Sequence, residues 1–149
     1  LRGLKAPVYG DGLQKRDWLH VSDHCRAISA MIKAPGEAIP EEAATDPSKL
    51  PIYDISARNE LTNLDIVSRT IRLLGKEPGE WIDHVADRPN HDRRYLISPA
   101  RIETELEWEP KVDFEVGLEQ TVRWYLDNQA WWTAILERSG SLQFDWSTT

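Results

Sequence analysis

Residues Val85-Ala86-Asp87-Arg88-Pro89-Asn90-His91-Asp92-Arg93-Arg94-Tyr95 constrain the fold of this chain more than any other stretch. Three arginines, one histidine and two aspartates fall within eight consecutive positions, and Pro89-Asn90 interrupts them. A core strand cannot carry that charge, and a helix interior cannot carry that proline, which lacks a donor and clashes with the preceding turn. The stretch must be an irregular turn between regular elements. Two readings of it are open. Its guanidinium groups are planar forks that hold phosphate oxygens in pairs, which suits an anion-recognition loop, most simply for a diphosphate. Alternatively, its charges pair among themselves on a solvated surface.

The rest of the composition narrows the choice. At 149 residues and 40% hydrophobic, the chain can bury a core and suits one domain, or one and a half. No apolar run is long enough to span a bilayer, and Leu1-Arg2-Gly3-Leu4-Lys5 has no signal-peptide core. Cys25 is the single cysteine, so no intrachain disulfide exists and a cytoplasmic location is expected. The net charge of −7 argues against a nucleic-acid surface, so an anion must be held by a local cluster. Trp124, Trp131, Trp132 and Trp146 crowd the last quarter, where large amphipathic rings serve a core or an interface.

Taken in order, Pro7-Val8-Tyr9 reads as a strand and Gly10-Asp11-Gly12 as a turn, with Asp17–Val21 resuming strand character. This predicts a hairpin with Lys15 and Arg16 at its tip. Ser22 is the expected N-cap of a helix through Ala34, with Cys25, Ile28, Met31 and Ile32 as its buried stripe and Pro35-Gly36 as its stop. Residues 36–51 read as a surface loop. Ile52–Ser56 is a compact strand and Arg58-Asn59-Glu60 a turn. Thr62 and Asp65 form a capping box for a helix with Ile66, Val67, Thr70, Ile71 and Leu74 on its apolar side. Asn63 lies in the first turn of that helix, where free backbone N–H groups meet ligands or simply support the cap.

Trp81–Ala86 is a strand entering the charged loop, and Tyr95-Leu96-Ile97 is strand-like beyond it. Ser98-Pro99 starts a helix as N-cap and N1, Ile102 and Leu106 face inward, and Glu109-Pro110 stops it. Asp113 caps a last long helix with Leu118, Val122, Tyr125 and Leu126 as its core face, and Asn128–Leu136 adds a turn or two. The order β-β-α-β-α-β-β-α-α indicates a mixed α/β unit without the regular βαβ run of a complete doubly wound domain.

Most catalytic chemistry is missing. His20 and His24 have the spacing of a helical ligand pair, but the first falls in a predicted strand, so a metal site is not expected. There is no G-x-S-x-G, no Rossmann glycine motif and no P-loop. What remains are three separated polar sites: Arg16, Asn63, and the loop carrying Arg88 and His91. They suit recognition of a polar, anionic small molecule.

Pro7-Val8-Tyr9-Gly10-Asp11-Gly12, Arg16-Asp17-Trp18-Leu19-His20-Val21 with Asp23-His24, Thr62-Asn63-Leu64, and Asp87 through Tyr95 occur in that order. Together they resemble the C-terminal part of the dTDP-glucose 4,6-dehydratases, which are extended short-chain dehydrogenases/reductases. The Asp-Arg-Pro-x-His-Asp-Arg-Arg-Tyr string is the most specific of these motifs. The resemblance implies a mixed α/β substrate-binding part that lacks the N-terminal Rossmann half. It makes residues 1–149 a partial nucleotide-sugar-binding domain, with some elements that would join a missing NAD-binding domain. It also assigns Arg16 and Arg88 to the diphosphate, Asn63 and His91 to the same pocket, and Pro7, Val8 and Tyr9 to the base. Asp87, Pro89 and Asn90 complete the set. Asn90 stands where the family usually has glycine, and asparagine also tolerates left-handed backbone. Leu142 stands where a tyrosine helps close the pocket.

In the complete enzymes, NAD takes a hydride from C4 of the glucose, water leaves across C5–C6, and the hydride returns to C6. The NAD-binding glycine turn, the Tyr-x-x-x-Lys pair and the Thr-Asp-Glu segment that do this are absent here. The resemblance therefore implies a dTDP-sugar partner, no NAD bound by this chain alone, and no turnover alone. It also implies apolar surface or a sheet edge left bare by the missing half, which favours self-association. A fragment of another nucleotide-sugar epimerase or decarboxylase, and a non-catalytic interaction module, are the competing readings.

Overall fold

Two buried polar side chains and a small apolar cluster organise the chain. The computed structural model describes residues 3–34 and 40–138. Among the described residues there are four strands: β1 (Ala6–Tyr9), β2 (Lys15–Asp17), β3 (Glu60–Thr62) and β4 (Ile82–Val85). The helices are α1 (Val21–Lys33), α2 (Asn63–Leu73), α3 (Pro78–Trp81), α4 (Ala100–Leu106), α5 (Phe114–Asp127) and α6 (Gln129–Arg138). The mixed α/β class is as the sequence indicates.

The expected hairpin does not form. β1 pairs in parallel with β4, Ala6 opposite Ile82 through Tyr9 opposite Val85, and β2 pairs antiparallel with β3, Lys15 opposite Thr62. The reason lies at the turn between β1 and β2, where Gly10 and Gly12 both have positive φ (56° and 72°). A Cβ on Gly12 would stand 2.6 Å from Val8 Cγ1 and 3.1 Å from Leu64 Cβ, so the bare α-carbon lets the chain tuck between two sheets. Leu64 N then donates to Gly12 O at 2.9 Å.

The core joins Ala27, Ile102 and Trp108, with Leu19, Met31, Tyr53, Ile55 and Leu106 packed around them. Asp23 is fully buried at its edge. Its Oδ2 accepts from the backbone of Lys111 (3.0 Å) and Val112 (2.9 Å), its Oδ1 pairs with Arg26, and its carbonyl accepts from Trp108 Nε1 at 3.2 Å. This one side chain ties the start of α1 to the α4–α5 connection. Burial works to raise the Asp23 pKa, but the Arg26 guanidinium and the two backbone donors outweigh it and hold the carboxyl below the ordinary value.

Several local expectations need correction. His20, not Ser22, caps α1: its ring accepts from Ser22 N, and the helix ends at Lys33. Of the stripe expected to be buried, Cys25 is exposed, and Ile28 and Ile32 are 41% and 78% exposed, because the helix faces the core with Ala27 and Asp23 instead. Within residues 36–51, the described part holds 3₁₀ turns at Glu41–Ala44 and Pro47–Lys49. Ile52–Ser56 keeps the alternation of a strand, with Tyr53 and Ile55 packed on the core and Ile52 77% exposed. It pairs with no strand among the described residues, so it is not one.

Glu60, expected in a turn, begins β3, and Trp81, expected in a strand, ends α3. Tyr95–Ile97 forms no strand; the contact there is a single bridge from Lys15 to Arg94. Pro99 rather than Ser98 occupies the α4 cap, and that helix stops at Glu107 in left-handed backbone, before Glu109-Pro110. On α5, Tyr125 and Leu126 are 45% and 38% exposed, because the face that packs centres on Gly117. The Thr62–Asp65 capping box is present on both sides. Pro35-Gly36, Leu142 and Trp146 lie outside the described residues.

Candidate functional site

The Arg16-Asp17-Trp18 string divides its labour. Asp17 accepts from the backbone of Ala57 (2.9 Å) and Asn59 (2.8 Å), which caps the turn where Arg58 has φ 58°. Trp18 Nε1 donates to Leu61 O at 3.2 Å. With its neighbours so anchored to the β3 side, Arg16 projects from β2 toward the charged loop. Its guanidinium donates to Asp92 O at 3.0 Å and lies 4.6 Å from the centre of the Tyr95 ring.

The charged loop is strapped along the free edge of β2. Lys15 N donates to Arg93 O (2.8 Å) and Tyr95 N to Lys15 O (3.2 Å). Arg93 forks onto both oxygens of Asp11 (2.8 and 3.0 Å), and Arg94 forks onto Glu60. These pairs lower the pKa of Asp11 through Arg93 and of Glu60 through Arg94. So two of the three loop arginines pair on the surface, as the second reading of the loop expects. Arg88 does not: its guanidinium makes no hydrogen bond among the described residues. Its charge and that of Arg16 both act on the Tyr95 hydroxyl, against the Asp92 carboxylate that bonds this phenol and raises its pKa. Both guanidinium groups thus lie within electrostatic reach of the Tyr95 hydroxyl.

Asp87 organises the remainder. Its Oδ1 accepts from Arg88 N (2.9 Å) and lies 2.7 Å from His91 Nδ1; its Oδ2 accepts from Gln14 Nε2 at 3.0 Å. The hydrogen bond to His91 is the main cause of its lowered pKa. The His91 side chain is 7% exposed and meets the Tyr9 ring edge-to-face at 6.3 Å. Asn90 adopts left-handed backbone (φ 56°), which turns the loop so that His91 folds back on Asp87. Pro89 is exposed at the tip. On β1, Pro7 is exposed and Tyr9 half-buried, while Val8 turns into the core at 3% exposure and can offer a ligand only its backbone. Asn63, at the first position of α2, donates its N–H to Gln14 O at 3.0 Å.

The residues singled out in the sequence thus fall into one continuous region: Tyr9, Arg16, Asn63, Asp87, Arg88 and His91. Gln14, Asp92 and Tyr95 belong to it as well, and sequence reasoning did not pick them as site residues. Tyr95 sat inside the motif, but Gln14 carried no signal at all. Two apolar clefts lie elsewhere, one of about 290 Å³ beside Trp18, Ile66 and Phe114, and one of about 660 Å³ beside Trp124, Tyr125 and Trp131. Among the described residues there is no group of acidic, histidine or cysteine side chains able to hold a metal ion, and no helix is long and apolar enough to cross a membrane.

Residues 1–121 match the GDP-mannose 4,6 dehydratase family. The chain belongs to this 4,6-dehydratase family. Family members similar to it include a dTDP-glucose 4,6-dehydratase of Streptomyces niveus, 42% identical over 89% of this chain and 36% of the relative. The Escherichia coli enzyme of the same name is 36% identical over 93% of this chain and 38% of the relative. The chain spans 36 to 40% of the length of the curated family members it matches. Among solved structures, a dTDP-glucose 4,6-dehydratase from Streptomyces venezuelae with NAD and TDP bound superposes with a TM-score of 0.74 at 36% identity, covering 89% of this chain and 37% of that one. A UDP-glucose 4-epimerase from Thermotoga maritima, at 23% identity and TM-score 0.68 over 86% of this chain and 37% of that one, shares the fold. The family is the NAD-dependent extended short-chain dehydrogenase/reductase group.

Proposed function

We propose that this chain is the nucleotide-gripping, C-terminal portion of a dTDP-glucose 4,6-dehydratase and that it binds dTDP-glucose through the dTDP half. The observation that carries the reading is the gathering of the motif residues: Arg16 lies against Asp92 and Tyr95 of the charged loop, and Asp87 of the same loop holds His91 beside Tyr9, all within a chain of net charge −7. Arg88, whose guanidinium makes no hydrogen bond among the described residues, and Arg16, which would exchange its bonds to the Lys15 and Asp92 carbonyls, offer planar forks to a diphosphate, whose oxygens accept in pairs. Asn63, whose side-chain amide stands at the first position of α2, and His91, held against Tyr9, are the uncharged polar groups the reading adds to the same site. Pro7 and Tyr9 offer a flat apolar edge to the base.

NAD, named with the relatives, is not assigned to these residues. The Gly10-Asp11-Gly12 turn links strand to strand rather than strand to helix, so it does not form the phosphate cradle of a dinucleotide fold. The whole reaction, from dTDP-glucose to the 4-dehydro-6-deoxy sugar, then belongs to a longer assembly. In that assembly the apolar faces of α1 and the unpaired segment at 52–56 meet the NAD-binding half.

Calorimetry with dTDP, UDP and GDP tests the reading. The expected result is heat with dTDP and a loss of roughly ten- to a hundredfold in affinity for Arg88→Ala, the range of one charge-assisted contact. Stability should stay at the parental value, since Arg88 makes no side-chain hydrogen bond to lose. No heat with dTDP, or parental affinity in Arg88→Ala, refutes it. A preference for UDP or GDP moves the chain to another branch of the superfamily.

A further inference from the structure

Gln14 is 2% exposed, and its two polar atoms have opposite fates. Nε2 donates to Asp87 Oδ2 at 3.0 Å, which fixes the amide, because the flipped form would set its oxygen against a carboxylate. Oε1 is buried and has no hydrogen-bond partner among the described residues. An unpaired buried acceptor works against folding, so a hydrocarbon of the same length would suit this position better on stability grounds alone. Something other than packing accounts for the glutamine.

Its connections say what. The Gln14 side-chain amide reaches Asp87, whose other oxygen meets His91, while its backbone carbonyl, as any residue's would, accepts from Asn63 N at 3.0 Å. The Asp87 side chain is 40% exposed, so donors rather than burial fix its rotamer. Gly10 supplies the space: a Cβ there would lie 2.9 Å from Asp87 Oδ2. We infer that Gln14 is a positioning residue, whose side-chain amide sets the orientation and tautomer of His91 through Asp87. With Asp87 accepting from Nδ1–H, neutral His91 presents an unprotonated Nε2 on its other edge. The role rests on the dTDP pocket proposed above.

The test uses the full 149-residue chain, its Gln14→Met and Gln14→Glu variants, nitrogen NMR of the His91 ring, and dTDP calorimetry. Gln14→Met should be at least as stable to urea as the parent, show a mixture of His91 tautomers, and bind dTDP about tenfold more weakly. Gln14→Glu keeps the side-chain shape but opposes Asp87, so it should show the same His91 change with a larger loss of affinity. It also decides the question if Gln14→Met does not fold. Unchanged His91 signals in the variants overturn the inference, as does parental dTDP affinity despite an altered tautomer. If the parent itself does not bind dTDP while the variants still alter His91, the pocket reading fails and the Gln14–Asp87–His91 coupling stands.

Discussion

Replacing Asp23 by alanine removes the acceptor that joins α1 to the α4–α5 connection. Two backbone N–H groups, of Lys111 and Val112, lose their partner, and Arg26 loses its ion pair. Each stranded donor costs about 1–2 kcal/mol in a half-buried setting, at the lower part of the range for unpaired groups. The Arg26 side chain is 38% exposed and rehydrates, so its share is small. Deleting the carboxylate also removes the cost of having buried it. The net loss is therefore about 2–4 kcal/mol, a large part of the ~5–15 kcal/mol typical of a folded domain. Urea unfolding followed by tryptophan fluorescence measures it, since Trp108 bonds to the same residue. The midpoint should fall with little change in slope, and the melting temperature should drop by roughly 4–16 °C. Asp23→Asn keeps an oxygen for the two N–H groups and should lose only about 1 kcal/mol. An alanine variant within about 1 kcal/mol of the parent would refute the bridging role assigned here.

Other consequences are open to measurement. Gly10→Ala should displace Asp87 and release His91, visible as a changed His91 ring environment together with lower stability, because the added Cβ meets Asp87 Oδ2 at 2.9 Å and φ is +56°. Wild-type His91 signals in that variant would show that the close approach is unimportant. Asp11, Glu60 and Asp87 all have folded pKa values below the ordinary ones, owed to Arg93, Arg94 and His91 respectively. Depressed carboxylate values stabilise the loop above the unfolded pKa of about 4 and release it as pH falls through the folded values. In a pH titration the Arg93–Asp11 and Arg94–Glu60 pairs should hold at mildly acid pH and open only below about pH 4; loss of either pair above that range counts against the clamp. Finally, Val21, Ile28 and Ile32 on α1 are 67%, 41% and 78% exposed, and Trp124, Tyr125 and Trp131 are exposed as well. Binding of a dye specific for apolar surface and concentration-dependent elution should follow, and a clean monomer without dye binding would contradict this.

The parts of the fold that a reader of the sequence can see are those decided within a few residues. Thr62 and Asp65 cap each other across one turn, and Pro89-Asn90 bars regular structure whatever surrounds it. What depends on distant partners is hidden. Alternation in Pro7–Tyr9 marks a strand but not its mate, so β4, far along the chain, was invisible as the partner. Ile52–Ser56 alternates correctly yet has no ladder, because a strand is defined by its neighbour. On α1, apolar residues lie on more than one side, and the stripe of Cys25, Ile28 and Ile32 outweighs on paper the small Ala27 that actually packs. Asp23 and Gln14 look like surface residues by type, and only their contacts with Val112, Lys111 and Asp87 show otherwise. The site arginines were legible as a set, but which of them remain free of surface pairing was a matter of where Asp11 and Glu60 happened to stand.

The parallel pairing of β1 with β4 also fixes a timetable. A ribosome delivers Tyr9 long before Val85, and the early strand must wait, unpaired, while α1 and α2 emerge and coil from local contacts. The charged loop is strapped to β2 later still, through Arg93 and Tyr95. Refolding watched by pulsed hydrogen exchange should therefore protect α2 and α5 first and Gly10 and Tyr95 last, so that intermediates already rich in helix still have the charged loop loose.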